Sequence, residues 1–349
     1  MKIVLISSGV IPVFPNGYGG LENVVGNLAV CLDRIGHDVY VIAPDGSDIG
    51  GVGNIKLIGC GPCDPDARAW ESRAYEKYAP MLLSPEFEDA IIHDHTWAKA
   101  VYLLKMRHTR LNVMSTLHGM LPYQTPPPVP QCNMVGISKH HAETISQGLK
   151  IPVRHVYNGI DLGRYPFGEG PRNDRYLFLA RMTPFKGAHL FTKAIVTKGL
   201  KGDLVGDDEM VEDKGFVEQL MRACGSGNGV CYRGGVSRER AAKFFRESKC
   251  YVLPCTGGWQ EPFGLTVVEA MASGCPVIVT PSGALPELVA DGFSGYVVQE
   301  DQLQDFLDDD KINAISPMDC HLRALKFSRE EMTKNYEILY REVLSGGGW

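Results

Sequence analysis

The sequence predicts an α/β protein with two domains, each built on a doubly wound parallel sheet. The chain has 349 residues, which exceeds the usual size of a single domain. Short β-branched runs alternate with segments of helical periodicity along most of the chain. This alternation restarts after a turn-rich stretch, residues 158–173. We therefore expect two Rossmann-like domains in succession.

The first domain opens with a β-branched run, residues 2–7, of the kind that is buried in parallel sheets. A glycine-rich loop at residues 16–20 follows, and then apolar residues at helical spacing that end before Gly36. The pattern predicts strands at residues 2–7, 38–42, 55–58, 90–93, 112–116, 134–137 and 153–157, and helices at residues 21–35, 68–83, 97–107 and after Ser138.

The second domain repeats this pattern. Strands are predicted at residues 176–180, 203–205, 230–232, 250–254 and 276–280, and helices at residues 187–197, 214–223, 238–246, 265–272 and 285–290. Apolar residues at near-helical spacing predict an amphipathic closing helix at residues 328–344. We divide the chain into an N-terminal domain (residues 1–160), a C-terminal domain (residues 174–325) and a closing helical segment (residues 326–349).

Composition excludes several classes of protein. The net charge is −6, the first half of the chain is nearly neutral and the second is acidic, so no nucleic-acid partner is expected. Ten cysteines in a chain of this length do not form a disulfide framework, and they favour a reducing, cytoplasmic location. The apolar start is too short to span a membrane and has no basic leader. Contact with a membrane surface and the oligomeric state stay open.

Two carboxylates, Glu261 and Glu269, flank the start of a predicted helix. Pro262 and Gly264 resist helix formation, whereas residues 265–272 favour it. A helix that begins near residues 264–266 would point unpaired N–H groups outward, and such an end attracts phosphate. Glu269 lies about one turn inside the helix, where it could accept hydrogen bonds from a ribose. The segment therefore predicts a phosphate site with a carboxylate on each side.

Basic and glycine residues follow two other strands of this domain. Arg181 and Lys186 suit a diphosphate leaving group, because their positive charges stabilise the charge that grows as a bond to oxygen breaks. A pair of solvated cations is the alternative. Arg233 and Gly234 end a strand where backbone groups could hold a nucleobase, although an ordinary strand end would have the same sequence.

Polar residues also follow three strands of the first domain. Gly19 and Gly20 precede a helix, where glycine lets the backbone approach a ligand, or where they form only a tight turn. His95 and Trp97 follow a buried strand, where polar residues that line a cleft are the favoured interpretation. His118 ends another strand. Structural histidines are the alternative, and a metal site would need a third ligand that the sequence does not show, so no metal is predicted.

Together these residues resemble the retaining glycosyltransferases of family 4, which have the GT-B fold. The resemblance covers nearly the whole chain. It rests on Gly19-Gly20-Leu21-Glu22, His118, Asn158-Gly159-Ile160-Asp161, Arg181, Lys186-Gly187, Gly206-Asp207 and above all EPFGLTVVEAMASGCPVI at residues 261–278.

The resemblance implies two domains that face a cleft and a closing helix that crosses back to the N-terminal domain. The implied reaction moves a hexose from a nucleotide sugar, with UDP favoured over GDP, to a hydroxyl of a saccharide, a lipid-linked molecule or a small molecule, with retained configuration. No metal or cofactor is implied beyond this co-substrate. The donor would bind mainly to the C-terminal domain, and the acceptor mainly to the N-terminal domain.

The same resemblance implies residue roles. Glu261 would bind hydroxyls of the transferred sugar, and Glu269 the donor ribose. Arg181 and Lys186 would hold the diphosphate. Backbone N–H groups would add to this site, and three residues of the other domain would close it. The N–H groups are those of Phe263, Gly264, Leu265 and Thr266, and the closing residues are Gly19, Gly20 and His118. Tyr18, His95 and Trp97 would lie on the acceptor side.

Two alternatives stay open. A nucleotide-sugar epimerase of the same fold would need acid and base carboxylates that the N-terminal domain does not reveal. A two-lobed sugar-binding protein without catalysis would normally carry an export leader. The chain also departs from the family where a Gly-Asp-Gly turn is common, because it has Gly206-Asp207-Asp208-Glu209. The extra negative charge near the expected nucleotide leaves the base and sugar of the donor undetermined.

Overall fold

The structure, a computed structural model, describes residues 1–15, 19–49, 53–119, 129, 131–168, 170–206, 213–224 and 227–349. Tyr18 and residues 207–209, for which predictions were made, lie outside this part of the chain. The chain forms two compact units. The first comprises residues 1–160 and 329–349, and the second comprises residues 161–328.

Each unit is built on one sheet whose strand pairs are all parallel. The first sheet has the order β3-β2-β1-β4-β5-β6-β7 and the second β10-β9-β8-β11-β12-β13. The strands are β1 Lys2–Ile6, β2 Asp38–Ala43, β3 Lys56–Gly59, β4 Ile91–Asp94, β5 Asn112–Thr116, β6 Met134–Gly136, β7 Val153–His155, β8 Arg175–Leu179, β9 Lys201–Val205, β10 Val230–Tyr232, β11 Cys250–Leu253, β12 Val277–Val279 and β13 Gly295–Val297. The predicted pair of doubly wound sheets is confirmed.

Helices connect these strands. They are α1 Gly20–Arg34, α2 Ala67–Leu82, α3 Val101–Arg107, α4 Lys139–Leu149, α5 Ala188–Thr197, α6 Lys214–Cys224, α7 Arg238–Glu247, α8 Leu265–Ala272, α9 Leu285–Leu288, α10 Leu303–Phe306, α11 Asp309–Asn313, α12 Pro317–Ala324 and α13 Arg329–Leu344. Local chemistry sets several starts: the Ser138 hydroxyl accepts the His141 N–H at the start of α4, as the sequence predicts.

Helix α3 differs from the prediction, because it begins at Val101 and not at Trp97. The buried carboxylate of Glu71 accepts the N–H groups of Trp97 and Ala98, at 2.7 and 2.6 Å, and so holds these residues outside the helix. Lys99 then adopts a left-handed conformation, with φ at 56°. A long-range contact therefore overrides the local helical periodicity.

The closing helix α13 is part of the first unit and packs against α1. Its inner face carries buried apolar and aromatic side chains, including Tyr336 and Tyr340. On its outer side, Arg154 of β7 makes a two-pronged ion pair with Glu342, with both N–O distances at 2.6 Å. Trp349 is bound to the first sheet as well, because its indole N–H donates to the carbonyl of Met134 in β6.

Candidate functional site

The best-defined polar site of the second unit lies where its sheet changes direction. Strands β8 and β11 are neighbours, and the chain moves from them to opposite edges of the sheet. In such sheets a crevice forms beyond the carboxyl ends of these two strands, because the connections leave in opposite directions. Arg181 follows β8, and Glu261 follows β11. The fold therefore places the two predicted segments at the same edge.

Lys186 and Glu261 meet there in a buried ion pair. The Lys186 ammonium donates to Oε2 of Glu261, and only 7% of Glu261 is exposed. The indole N–H of Trp259 donates to the same oxygen at 2.9 Å. The Cys255 thiol donates to this oxygen as well, at the longer distance of 3.9 Å. Several donors on one carboxylate oxygen fix the orientation of the group. Lys186 is therefore not the solvated cation that the sequence left as an alternative.

The loop that carries Lys186 packs against the loop after β11. Gly187 has φ at 80°, and a Cβ there would collide with the carbonyl oxygen of Pro254, so only glycine fits. The Thr256 N–H donates to the Phe185 carbonyl at 3.0 Å. The Phe185 ring stacks on Trp259, with centroids 4.2 Å apart. These contacts hold the ammonium against the carboxylate.

Burial and charge act in opposite directions on Glu261. Burial raises the pKa of this carboxyl group, but the Lys186 charge, the hydrogen bonds from Lys186 and Trp259, and the Arg181 charge together lower it below its ordinary value. Glu261 is therefore an anion at neutral pH. Arg181, which follows β8 at the same edge of the sheet, makes the smallest of these contributions to the lower pKa of Glu261.

Helix α8 starts beside this pair, at Leu265, as the sequence predicts. Gly264 precedes it with φ at 104°, a left-handed conformation that turns the chain into the helix. The Phe263 side chain is buried against Phe327, so this residue can offer a ligand only its backbone. The Thr266 hydroxyl bonds to Tyr251 at 2.7 Å. The Val267 N–H donates to the Gly264 carbonyl at 3.0 Å. The N–H groups of Leu265 and Thr266 have no acceptor within the helix, and such a helix start can bind an anion.

Glu269 lies one turn further along α8 and is half-buried. Burial raises its pKa above the ordinary value, although a hydrogen bond from Tyr165 and the charge of Arg238 oppose this shift. Burial and the charge of Glu269 raise the pKa of Tyr165 in turn, so its hydroxyl keeps its proton and donates to the carboxylate. This second carboxylate is thus held by partners other than those of Glu261.

Arg233 and Gly234 follow β10 in the same unit. The Arg233 guanidinium donates to buried Asp203 at 2.7 Å, and Arg175 donates to the other oxygen of Asp203 at 2.8 Å. The Arg233 side chain therefore joins a structural ion-pair network. Gly234 has φ at 69°, and its carbonyl accepts the Gly206 N–H at 3.1 Å. Only backbone groups of this turn fit the predicted contact with a nucleobase.

In the first unit, Gly19 and Gly20 lie at the start of α1. Gly19 has φ at 149°, and a Cβ there would lie 2.7 Å from the Ile11 side chain and closer still to Pro15. A larger residue would therefore displace the loop. The helix start that follows it supplies N–H groups at the carboxyl end of β1, the position at which the sequence predicts ligand contact.

His95 and His118 follow neighbouring strands, β4 and β5, and contact each other. Nδ1 of His95 lies 2.9 Å from Nε2 of His118. Trp97 lies next to them, and a Cβ on Gly119 would touch its ring at 2.9 Å. The structure thus brings together three predicted polar positions of this unit at one sheet edge.

His93 has a structural role. Its ring is fully buried, and its two nitrogens bond to Tyr340 at 2.7 Å and to Thr116 at 2.8 Å. Thr116 bonds to Tyr336 at 2.9 Å. In the described part of the chain, no group of three or more His, Cys, Asp or Glu is arranged to hold a metal ion.

Solved structures share this architecture. Sucrose-phosphate synthase of Thermosynechococcus elongatus has a TM-score of 0.81 at 19% identity, over 99% of this chain and 100% of that one. HepE of Anabaena, in complex with UDP and glucose, has a TM-score of 0.74 at 18% identity, again over 99% and 100%. At these identities the likeness shows the fold, which is GT-B.

Two family models match in succession along the chain. Residues 18–164 match Glycosyltransferase Family 4, and residues 166–315 match Glycosyl transferases group 1. The chain is a GT-B glycosyltransferase of the family 4 type. Each of the two models falls almost wholly within one compact unit, so the two units of the glycosyltransferase correspond to the two halves of the family pattern.

Curated relatives agree with this assignment. An uncharacterized glycosyltransferase of Methanocaldococcus jannaschii is 24% identical, over 80% of this chain and 81% of that protein. The D-inositol 3-phosphate glycosyltransferase of Streptomyces avermitilis is 28% identical, over 46% of this chain. The matched part spans only 40% of the Streptomyces enzyme.

Several residues of the glycosyltransferase site were not predicted from the sequence. Trp259 holds Glu261, and Tyr165 with Arg238 holds Glu269. Trp259 lies two positions before Glu261 in a glycine-rich loop, which is a usable local signal. Tyr165 gives none, because about a hundred positions separate it from its partner. In the described ranges, no helix combines the length and apolar character that a membrane crossing requires.

Proposed function

We propose that this glycosyltransferase moves a hexose from a nucleoside diphosphate sugar to a hydroxyl acceptor, with retention of configuration at the transferred carbon. The observation that carries the proposal is the buried pair of Lys186 and Glu261 at the switch point of the second sheet, beside the start of α8. In this proposal, residues 174–325 bind the donor and residues 1–160 bind the acceptor.

The cationic side of the pair suits a diphosphate. Lys186, the nearby charge of Arg181 and the first N–H groups of α8 converge on one edge of the sheet. Such groups stabilise negative charge that grows on the leaving oxygen, and they do so before the reaction begins. A developing diphosphate would therefore be bound more tightly than the intact sugar phosphate, which is the requirement for catalysis.

The anionic side suits the sugar. Glu261 is charged at neutral pH, and Lys186 and Trp259 both bind its Oε2. A carboxylate that is fixed in this way can accept hydrogen bonds from sugar hydroxyls. When a diphosphate arrives, it competes with Glu261 for the Lys186 ammonium, and sugar hydroxyls offer Glu261 replacement donors. Binding of the two halves of the donor is thereby coupled.

Retention follows if the acceptor attacks from the face that the leaving group vacates. The bond from the anomeric carbon to the phosphate oxygen breaks, the bond to the acceptor oxygen forms on the same face, and the acceptor proton passes to the released phosphate. Family resemblance supports this route. The engagement of Glu261 with Lys186 also fits a binding role better than that of a nucleophile.

UDP is the favoured nucleotide. HepE, which has the same fold, was solved with UDP and glucose. In the proposal Glu269 binds the ribose, and the turn at Gly234 lies against the base. Gly19, Gly20 and His118 are assigned to the donor from the N-terminal domain, and Tyr18 and Trp97 to the acceptor side. His95, which is 1% exposed, is placed on that side only through its contact with His118. No cofactor or metal is needed beyond the nucleotide sugar.

Ligand binding tests the donor first. UDP-, GDP- and ADP-sugars are compared by thermal shift, where a ligand at a hundredfold excess over its Kd stabilises the folded protein by about 2.7 kcal/mol. We expect stabilisation by a UDP-sugar. If no nucleotide sugar raises the unfolding midpoint, the proposal is contradicted. If only GDP-sugars raise it, the nucleobase of the donor is guanine and not uracil.

Turnover tests the reaction. With the donor so identified, NMR follows the anomeric configuration of the sugar released to water or to an added acceptor, with and without a chelator. We expect retention in both. Lys186→Ala should lower kcat by about 10²–10³-fold, the usual effect of removing one such donor. Lys193→Ala, an exposed position on α5, is the control. Inversion, or equal rates for wild type and Lys186→Ala, would refute the proposed mechanism.

A further inference from the structure

His95 and His118 of the first unit form a hydrogen-bonded pair of imidazole rings. Nδ1 of His95 and Nε2 of His118 are 2.9 Å apart, so one nitrogen carries the shared proton and the other accepts it. His95 is 1% exposed, whereas His118 is half-buried. One imidazole is therefore enclosed by the protein, and the other reaches the sheet edge at which a ligand is expected.

Both rings are neutral at physiological pH. Burial lowers the pKa of each imidazole well below its ordinary value, and neighbouring basic groups act in the same direction. For His95 these neighbours are His93 and Lys99, and for His118 they are His95, Lys99 and His141. Each ring thus carries one proton, and its position on the two nitrogens is decided by hydrogen bonding.

The far nitrogen of His95 decides between the two arrangements. Its Nε2 is buried, and no donor or acceptor of the described residues lies within hydrogen-bond distance. If His95 accepted the shared proton at Nδ1, its own proton would lie on Nε2 as a buried N–H without an acceptor. Buried N–H groups without a partner are rarer than buried acceptors without one. The favoured arrangement therefore has the proton of His95 on Nδ1.

We infer that His95 is a positioning residue that donates its Nδ1–H to Nε2 of His118 and so fixes the proton of His118 on Nδ1. His118 then presents an N–H group, and not a lone pair, at the sheet edge. Such a group donates a hydrogen bond to a sugar or phosphate oxygen and does not remove a proton from a hydroxyl. This inference rests on the proposed function only for the identity of that oxygen.

The ring of His95 is held in place from the opposite side. His93 packs against it, with ring centroids 3.9 Å apart. His93 cannot rotate freely, because Tyr340 of α13 and Thr116 of β5 bind its two nitrogens. Helix α13 thus stabilises the imidazole pair through one intermediate ring. This support keeps Nδ1 of His95 directed at His118.

Nitrogen NMR of the unliganded, ¹⁵N-histidine-labelled protein tests the inference directly. Long-range ¹H–¹⁵N spectra separate a protonated ring nitrogen from an unprotonated one, and His118→Ala identifies the signals of His118. We expect a protonated Nδ1 in wild type. His95→Asn keeps an N–H donor near the position of Nδ1 and should keep this tautomer. His95→Phe keeps the ring volume and removes the donor, so the proton of His118 should move to Nε2.

Kinetics with the donor then measure the consequence. His95→Phe should lower kcat/KM by about 10- to 100-fold, by analogy with the loss seen when the outer hydrogen-bond partner of a metal-ligating histidine is removed. His95→Asn should restore most of it. A wild-type His118 with its proton on Nε2, or a tautomer unchanged in His95→Phe, overturns the inference whatever the rates are. The two results can also separate. If wild-type His118 carries its proton on Nδ1 but His118→Ala keeps full activity, the inference is upheld and the proposed contact of His118 with the donor is refuted.

Discussion

Replacing Lys186 with Met should destabilise the second unit in a manner that depends on pH. The substitution keeps the unbranched stem of the side chain, one atom shorter, and removes the ammonium that binds Glu261. Glu261 would stay buried, and the hydrogen bonds from Trp259 and the Cys255 thiol and the Arg181 charge would be its remaining support. Burial is the largest influence on this carboxyl group, so we expect its pKa in the variant to rise above the ordinary value of 4.5.

The size of the effect follows from the burial of both partners, whose side chains are 12% and 9% exposed. Breaking a buried pair by removing one partner costs about 3–5 kcal/mol, because the other charge is left uncompensated. For a unit of this size, the cost lowers the midpoint of unfolding by about 6–20 °C. A second substitution, Glu261→Gln, removes the stranded charge and should recover part of the loss.

The dependence on pH has a definite sign. In wild type the folded pKa of Glu261 is depressed, so the pair stabilises the protein above the unfolded pKa of 4.5 and loses this contribution as pH falls through the folded pKa. In the variant the folded pKa is raised, so a penalty appears as pH rises through 4.5. The difference between the two proteins should therefore be small in acid and largest at neutral pH.

Calorimetric unfolding at about pH 4 and about pH 8 measures this difference. The exposed Lys193 of α5 offers a matched control, since Lys193→Met should change stability by less than about 0.5 kcal/mol at either pH. If Lys186→Met unfolds at the wild-type temperature at the higher pH, or if its deficit in unfolding temperature is the same at both pH values, the charged pair does not stabilise the folded protein.

Three further predictions concern neighbouring residues. Trp259→Phe keeps a stacking ring but removes the N–H that binds Glu261, so the pKa of that carboxyl group should rise. The acid limb of the pH profile of kcat/KM should then move to higher pH, and an unmoved limb would show that Glu261 is not the group that titrates there. Gly264→Ala should lower the stability of the fold more than Gly292→Ala does. Both glycines have positive φ, but only at Gly264 would the new Cβ meet a side chain, at 2.7 Å. Equal unfolding midpoints of the two variants in calorimetry would argue against the close packing at Gly264. Glu269→Ala should weaken binding of UDP by at least about tenfold in titration calorimetry, since a hydrogen bond to a charged group contributes about 1.5–3 kcal/mol, and wild-type affinity would remove its assignment to the ribose.

Local sequence signals were sufficient to predict an element where the conformation depends on the backbone preferences of neighbouring residues. The start of α8 directly after Gly264 is an example, since Pro262 and Gly264 cannot continue a helix and the next eight residues favour one. Helix α12 shows the limit. It starts with Pro317 at its first position, a recognisable signal, yet Met318 and Leu322 are 41% and 48% exposed and obscure the apolar periodicity. No helix was predicted there.

The sequence by itself determined the alternation of strands and helices, the glycines that left-handed turns require, and the kinds of charge available to a ligand. These properties depend on residues within a few positions of each other. Only the tertiary structure decided which charges meet. Lys186 and Glu261 are 75 positions apart, and they touch because β8 and β11 are neighbours in the sheet, an order that no local pattern encodes. The contact between His95 and His118 has the same origin, since β4 and β5 pair side by side. Burial then decided what these contacts do, because it strengthens the ion pair and keeps both imidazoles neutral.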